Sequence, residues 1–503
     1  MVQVVWLKRD LRLRDHAPLT EAALRGECVV LFVYEREWLE SPEFDPSHLR
    51  FVNECLAELD QGLRELGGRV TFRVGTMPEV LETIRQQVGI EAIWSHEETG
   101  SDWTYRRDRR VAAWAKRRSI TWHEFPQTGV VRRLKDRDGW ARSWLVRMSQ
   151  PIIAAPGRVL AASGIEPSRR MTAEDLGVGP GEKCAAQAGG ETRAHETLTG
   201  FLEERGANYR TEMSSPVTGQ TGCSRLSPHL AWGSISIKQV HQATEARRTE
   251  VRECKRQGVE LDRGWASSLS SFAGRLRWHC HFIQKLEDEP RIEFENMNRA
   301  YDGLREREFD ETKFAAWCEG QTGYPLVDAC MRSLRKTGWI NFRMRAMLVS
   351  FASYHLWLHW RPTAVYLARQ FLDFEPGIHY SQFQMQSGVT GINTVRIYSP
   401  IKQARDQDPD GEFIRRWVPE LAGFPTDQLA EPHKTPALPQ HAYGCLIGRD
   451  YPAPIVDHAT AYRMARERIF AVRGRADAKA EAVRVYQQHG SRRRPERRGK
   501  SRE

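Results

Sequence analysis

The first 126 residues constrain the fold most. Five short apolar runs, at 2–7, 28–34, 69–74, 91–95 and 120–125, alternate with amphipathic stretches at 47–66, 77–88 and 104–117. Apolar runs of this length read as strands buried on both faces, and the stretches with 3.6-residue spacing read as helices. Strands that alternate with helices close as a parallel sheet with helices packed on its faces, a Rossmann-like α/β domain. Ser47 is the expected N-cap of the first long helix, and Gly67-Gly68 its stop. No Gly-x-Gly-x-x-Gly follows the first run, so a dinucleotide site of the usual kind is not supported.

From 127 to 195 the periodicity weakens, and 184–196 is small and polar, which reads as an exposed interdomain linker. From 196 to 480 the pattern is helical throughout. Its densest part, 317–421, is rich in Trp and Met yet carries Arg332, Arg343, Arg345, Asp373 and Glu375. Charged groups enter such an interior only when paired or when they hold a polar ligand. Upstream, Gly222-Cys223-Ser224-Arg225-Leu226-Ser227-Pro228 ends a turn-rich segment just before a helix start, where unpaired backbone N–H groups suit an anion. Arg275, Trp278 and His279 recur at helical spacing on one side of a further helix.

Several motifs stand in order along this part: Gly323-Tyr324-Pro325-Leu326-Val327-Asp328-Ala329, Gly338-Trp339 followed by Arg343-Met344-Arg345, and Trp417-Val418-Pro419-Glu420-Leu421. Together they resemble the flavin-binding domain of the DNA photolyase and cryptochrome family. The opening Trp6-Leu7-Lys8-Arg9-Asp10-Leu11-Arg12-Leu13-Arg14-Asp15 is similar to that family's N-terminal signature, and its bottom-up reading is an arginine–aspartate turn that locks two domains together. The resemblance implies a 1–126 antenna-type domain, a 127–195 linker, a 196–480 all-α FAD-binding domain and a 481–503 basic tail. It implies FAD, with a second, antenna chromophore left unidentified. Trp103-Thr104 stands where folate-binding members carry Asn-Glu, which argues against a folate antenna.

Carried over position by position, Tyr209, Ser224, Arg225, Leu226 and Ser227 would hold the phosphates, and Arg345 and Asp373 would form an ion pair beside the flavin. Glu375 replaces an aspartate at the isoalloxazine edge. His379 falls opposite the flavin N5, where a titratable imidazole would make flavin protonation pH-dependent. Arg275 joins this set, at a position where the best-known dimer-repairing enzymes carry Glu. Phe342 replaces their Asn and Met385 a second lesion-contacting Trp, leaving Trp278 and Arg343. The histidine pair used for 6-4 photoproducts is missing after Ile340.

The implied activity is light-driven splitting of cyclobutane pyrimidine dimers in ultraviolet-damaged DNA by an electron from excited reduced FAD. The alternative is a cryptochrome-like blue-light receptor. Of the three relay tryptophans usual in the family only Trp360 is present; Phe383 and Arg307 occupy the other positions. Trp357, expected one turn before Trp360 on the same helix face, or a tyrosine (Tyr366, Tyr380) would have to reroute the electron.

The net charge of +10 favours a polyanionic partner, but seven Arg/Lys against two Glu in 491–503 supply half of it, on a tail expected to be disordered. Nine cysteines without a Cys-x-x-Cys exclude a metal-cluster or disulfide reading. The apolar stretch 346–360 is interrupted by Ser350, Ser353, His355 and His359, so no membrane span is expected. A cytoplasmic monomer is the resulting expectation.

Overall fold

The computed structural model describes residues 1–490; the basic tail at 491–503 lies outside them. Five strands form the sheet: β1 (Val2–Trp6), β2 (Glu27–Glu35), β3 (Val70–Gly75), β4 (Ile90–His96) and β5 (Thr121–Phe125). All pair in parallel in the order β3-β2-β1-β4-β5. A two-residue strand, β6 (Leu160–Ala161), adds to the start of β2. Every residue of β1 is buried, as a central strand with helices on both faces requires. The first long helix is Pro46–Glu65; Asp45, not Ser47, caps it, because the Asp45 carboxylate accepts the Ser47 N–H at 2.9 Å.

The segment between the sheet and the helical domain is exposed over much of 163–182 but is packed at several points. Trp140–Met148 is a helix whose Trp140, Trp144 and Met148 sit in one apolar cluster with Leu269, Phe272 and Leu276 of the helix Trp265–Asp288. Lys183 is buried with its ammonium 2.8 Å from Asp45. Gly189 N–H donates to Glu54 at 2.7 Å, and a Cβ there would meet the Phe51 carbonyl at 2.4 Å. A small, polar composition marks close packing on the Pro46–Glu65 helix here, a tertiary fact that composition cannot report.

The remaining chain is helical. Pro325–Thr337, Phe342–Ser350, Trp360–Gln370 and Pro376–Gln386 surround the core of Trp317, Met331, Met344, Met347, Tyr354, Trp360 and Tyr380. Trp357 does not share a helix with Trp360. The chain forms one π-turn at Phe351–His355, passes Trp357 at φ +57°, and starts a new helix at Trp360.

The turn after β1 locks the domains together. Arg12 is fully buried and donates to the Gly233 carbonyl at 2.9 Å, while Asp15 accepts from Ser236 at 2.6 Å and faces the Lys238 ammonium at 2.6 Å. Gly233, at φ +71°, leaves room for this approach: a Cβ would lie 2.0 Å from the Arg9 carbonyl. Among the described residues no helix is long and apolar enough to cross a membrane.

Candidate flavin and lesion site

Arg345 and Asp373 come together as predicted. Asp373 lies in the turn between Trp360–Gln370 and Pro376–Gln386, and its two oxygens accept from Arg345 Nη1 and Nη2 at 3.0 and 2.8 Å. Burial pushes the Asp373 carboxyl up, but the charge and hydrogen bonds of Arg345 and a hydrogen bond with Ser227 outweigh it and hold it below the ordinary range. Arg345 Nε donates to the Ile340 carbonyl at 2.8 Å, and its guanidinium lies 4.1 Å from the Phe371 ring.

The Ser224–Ser227 loop reaches the same place. Ser227 accepts from Trp339 Nε1 at 3.3 Å. Arg225 adopts φ +61° and lays its guanidinium 3.9 Å from the Trp339 ring. Leu226 is buried and offers only backbone, and Tyr209 is buried near Arg275. Burial, with Arg205 and Arg345 as nearby cations, lowers Arg225 to about 10 although Asp373 opposes the shift. A loop with surplus positive charge and little solvent fits a diphosphate.

Arg205 was missed by the sequence reading. It donates to the carbonyls of Thr197, Thr221, Cys223 and Ser224 and so sets the path of the loop. An arginine whose partners are all carbonyls leaves no spacing pattern.

Glu375 is nearly buried; one oxygen lies 3.6 Å from Arg9 and the other, Oε1, has no partner. Burial raises it to about 7, with Arg9 opposing. Asn341 Oδ1 is likewise unpartnered, while its amide donates to Met213 and Ser214 carbonyls. Orphaned acceptors beside an arginine-rich loop fit a group that carries both N–H donors and phosphates, as FAD does. Gly377 follows Glu375 because the helix Trp265–Asp288 crosses there: a Cβ would lie 2.6 Å from Ile283 Cα.

His379 does not behave as expected. Its Nε2 donates to the Ala364 carbonyl at 2.8 Å, and its ring packs against Phe383 (4.6 Å) and Phe374 (5.1 Å). Burial lowers its pKa to about 3, so it stays neutral across the physiological range and gives no pH dependence there.

At the mouth, Trp278 is 42% exposed and Phe342 47% exposed. Trp278 packs on His281 (5.1 Å) and Phe282 (5.5 Å), and the exposed Arg275 lies 5.9 Å from the Phe342 ring. Arg343 follows Phe342 and leaves its Nε buried without a partner. Trp360 is buried and donates from Nε1 to Asn296 at 2.7 Å. The predicted residues thus divide into a buried polar set, an exposed aromatic and basic rim, and Trp360 in the core.

Beyond the carboxyl ends of β1 and β4, where the strand order reverses, lies the crevice where open α/β sheets bind ligands. Here Arg107 is buried against Glu35 (3.0 Å), Glu98 (2.5 Å) and Asp108 (2.8 Å), and Lys8 pairs with Asp108 at 2.9 Å.

Two family models match: DNA photolyase over residues 3–136, and the FAD binding domain of DNA photolyase over residues 272–471. A deoxyribodipyrimidine photo-lyase of Streptomyces griseus is 31% identical over 92% of this chain and 97% of that protein. The chain belongs to the DNA photolyase and cryptochrome family. A cryptochrome DASH of Gloeobacter violaceus is 28% identical over 90% of this chain and 93% of its own length. The crystal structure of a bacterial class III photolyase from Agrobacterium tumefaciens superposes with a TM-score of 0.82 at 25% identity, covering 94% of this chain and 98% of that one. Both photolyases and cryptochromes therefore share this architecture, and the family's FAD-binding domain is the part that carries the Arg345–Asp373 pair.

Proposed function

We propose that this protein is a light-driven DNA photolyase that splits cyclobutane pyrimidine dimers in ultraviolet-damaged DNA. The observation that carries the reading is the exposed pair Trp278 and Phe342 with Arg275 and Arg343 beside them, opening above a buried, arginine-rich polar set. An unstacked lesion needs aromatic faces to lie on and cations for the flanking phosphates. Ser224, Arg225, Ser227 and the Leu226 backbone would hold the FAD diphosphate, with Tyr209 near Arg275 at the rim. Asp373, held ionised by Arg345, would accept from a flavin N–H, and Glu375 Oε1 would accept from another. When bound, reduced and excited by light, FAD supplies the electron that opens the dimer. The chain's own work is to seat the lesion on Trp278, exclude water and keep the charges around the flavin fixed.

A second reading, a flavin-binding blue-light receptor, draws on Arg275 and Phe342, which stand where dimer-repairing enzymes carry Glu and Asn to meet the base carbonyls. One experiment separates them. The reduced protein is irradiated with oligonucleotides containing thymine dimers, and recovery of pyrimidine absorbance is followed. Recovery in wild type that falls in Trp278→Ala supports repair; no recovery in a fully flavinated, reduced protein favours the receptor.

A further inference from the structure

With Phe383 and Arg307 in place of two relay tryptophans, an electron donor to the flavin must come from elsewhere, and the structure separates the alternatives. Oxidising an indole leaves a cation, so nearby positive charge opposes it. The Trp357 ring lies 4.5 Å from the Arg305 guanidinium and 5.0 Å from that of Arg468, and its Nε1 has no acceptor. Arg468 is neutralised by Glu308 at 2.7 Å. Arg305 is 2% exposed and, among the described residues, has no carboxylate partner; its Nε and Nη2 are unsatisfied. Trp357 is therefore a poor donor.

Tyr380 also has a guanidinium near its ring, that of Arg361 at 5.0 Å, but it differs in having a base for its proton, so that its oxidation leaves a neutral radical rather than a cation. Its ring stands between His379 (5.4 Å) and Trp360 (6.5 Å). Its hydroxyl donates to Glu43 Oε1 at 2.6 Å, and Arg361 Nη1 donates to the phenol oxygen at 3.3 Å. Arg361 in turn faces Glu293 at 3.8 Å. Tyr380 and Glu43 are both buried, so water does not compete for the proton. Glu43 belongs to the sheet domain, 337 positions away, so the pair exists only where the two domains meet.

We propose that Tyr380 is the electron donor in flavin photoreduction, with Glu43 as the acceptor of its phenolic proton and Trp360 as the aromatic contact behind it. The proposal rests on the FAD reading given above. Tyr380 gives one electron to the light-excited oxidised flavin; its O–H bond breaks, the proton passes to the Glu43 carboxylate, and a neutral tyrosyl radical remains. A soluble thiolate then supplies one electron through Trp360 and becomes a thiyl radical, while Glu43 returns its proton to the Tyr380 oxygen. The hole rests on Tyr380 because Trp360 has only the Asn296 carbonyl oxygen, which is no base, at its N–H.

The test uses the FAD-containing protein in the oxidised state, flashed with blue light and frozen. Electron paramagnetic resonance of protein grown with ring-deuterated tyrosine should show a narrowed radical signal, and ring-deuterated tryptophan should change nothing. This labelling needs no substitution. Tyr380→Phe should abolish the signal. Glu43→Gln should slow photoreduction with thiol at least about tenfold and remove a light-induced carboxylic acid band in the infrared difference spectrum. Trp357→Phe should match wild type. A signal that responds to deuterated tryptophan, or that survives in Tyr380→Phe, would overturn the relay, as would absence of any radical in a protein shown to hold FAD. A protein that takes up no FAD would overturn the flavin reading and the relay with it.

Discussion

At Asp373 and Glu375, two carboxylates two residues apart have opposite fates. Asp373 has a bidentate arginine and stays ionised, while Glu375 has Arg9 only at 3.6 Å and is raised to about 7. Asp373→Ala leaves Arg345 without its partner, a loss of about 3 kcal/mol or more, and should yield mostly apoprotein; flavin absorbance per protein chain measures it, and normal content would refute the pairing's role. For Glu375 the sign follows from the raised value. Between its unfolded value near 4.5 and about 7, the folded apoprotein holds a proton that the unfolded chain has lost, so its contribution to stability is present at low pH and is lost as pH rises. Chemical denaturation of apoprotein should show Glu375→Gln gaining on wild type as pH climbs from about 4.5 to about 7. A constant difference would place Glu375 in contact with water. The Arg345–Asp373 pair was legible because both residues sit in recognisable motifs. Arg205 and Glu43 were not, since each acts on partners that no local pattern links to it.

At the scale of elements, the segment Phe371–Glu375 is held from two sides, by His48 and Arg9 of the sheet domain and by Trp232 at the end of the helix Ser227–Trp232. The Phe371 carbonyl faces His48 Nε2 at 2.9 Å, the Leu372 carbonyl accepts from Trp232 at 2.9 Å, and the Phe374 carbonyl accepts from Arg9 at 2.9 Å. The turn that carries Asp373 and Glu375 is thus positioned by both domains. Gly233 makes this grip possible, because it turns the chain after Trp232 while touching Arg9. Gly233→Ala combines a left-handed backbone, about 1–2 kcal/mol, with a clash against a main-chain carbonyl that cannot swing aside. The variant should melt at a lower temperature and release FAD more readily than wild type, read by differential scanning and flavin fluorescence together. Unchanged behaviour in both would show that the interface yields at low cost. The same scale explains the misplaced Trp357: periodicity over 346–360 suggested one helix, but a π-turn and a positive φ interrupt it.

For the whole molecule, burial of histidine dominates the response to acid. His48, His96, His229, His279, His281, His355 and His379 are all lowered by burial to about 4 or less. Below 6.5 the unfolded chain takes up protons that these residues refuse in the folded state, so stability falls as pH falls, by about 1.4 kcal/mol per pH unit for each such group. Glu35, Glu293 and Glu375, raised to about 7, and Asp328, raised to about 6, slope the other way, but they are four against seven. Urea midpoints should therefore drop steeply between pH 6.5 and about 4.5, and a flat profile would contradict the burial. Charge at the chain's end makes a separate prediction: removing 491–503, with its seven Arg/Lys and two Glu, should reduce the salt dependence of DNA binding and leave the preference for damaged DNA intact. Lost discrimination would place the tail in the site.

Strand and helix order, the parallel sheet and the helical second half were determined by the sequence itself, because periodicity and turn residues act over a few neighbours. The resemblance to the family's motifs also pointed to the loop at Ser224–Ser227 and paired Arg345 with Asp373. Only the tertiary structure decided that burial lowers His379, that Trp357 lies near two guanidinium groups, that 184–196 is anchored at Gly189 and Gly190, and that Glu43 reaches Tyr380. The physical reason is common to these cases: desolvation and ion pairing are set by what lies across the interface, and those neighbours are up to 337 positions away in the chain.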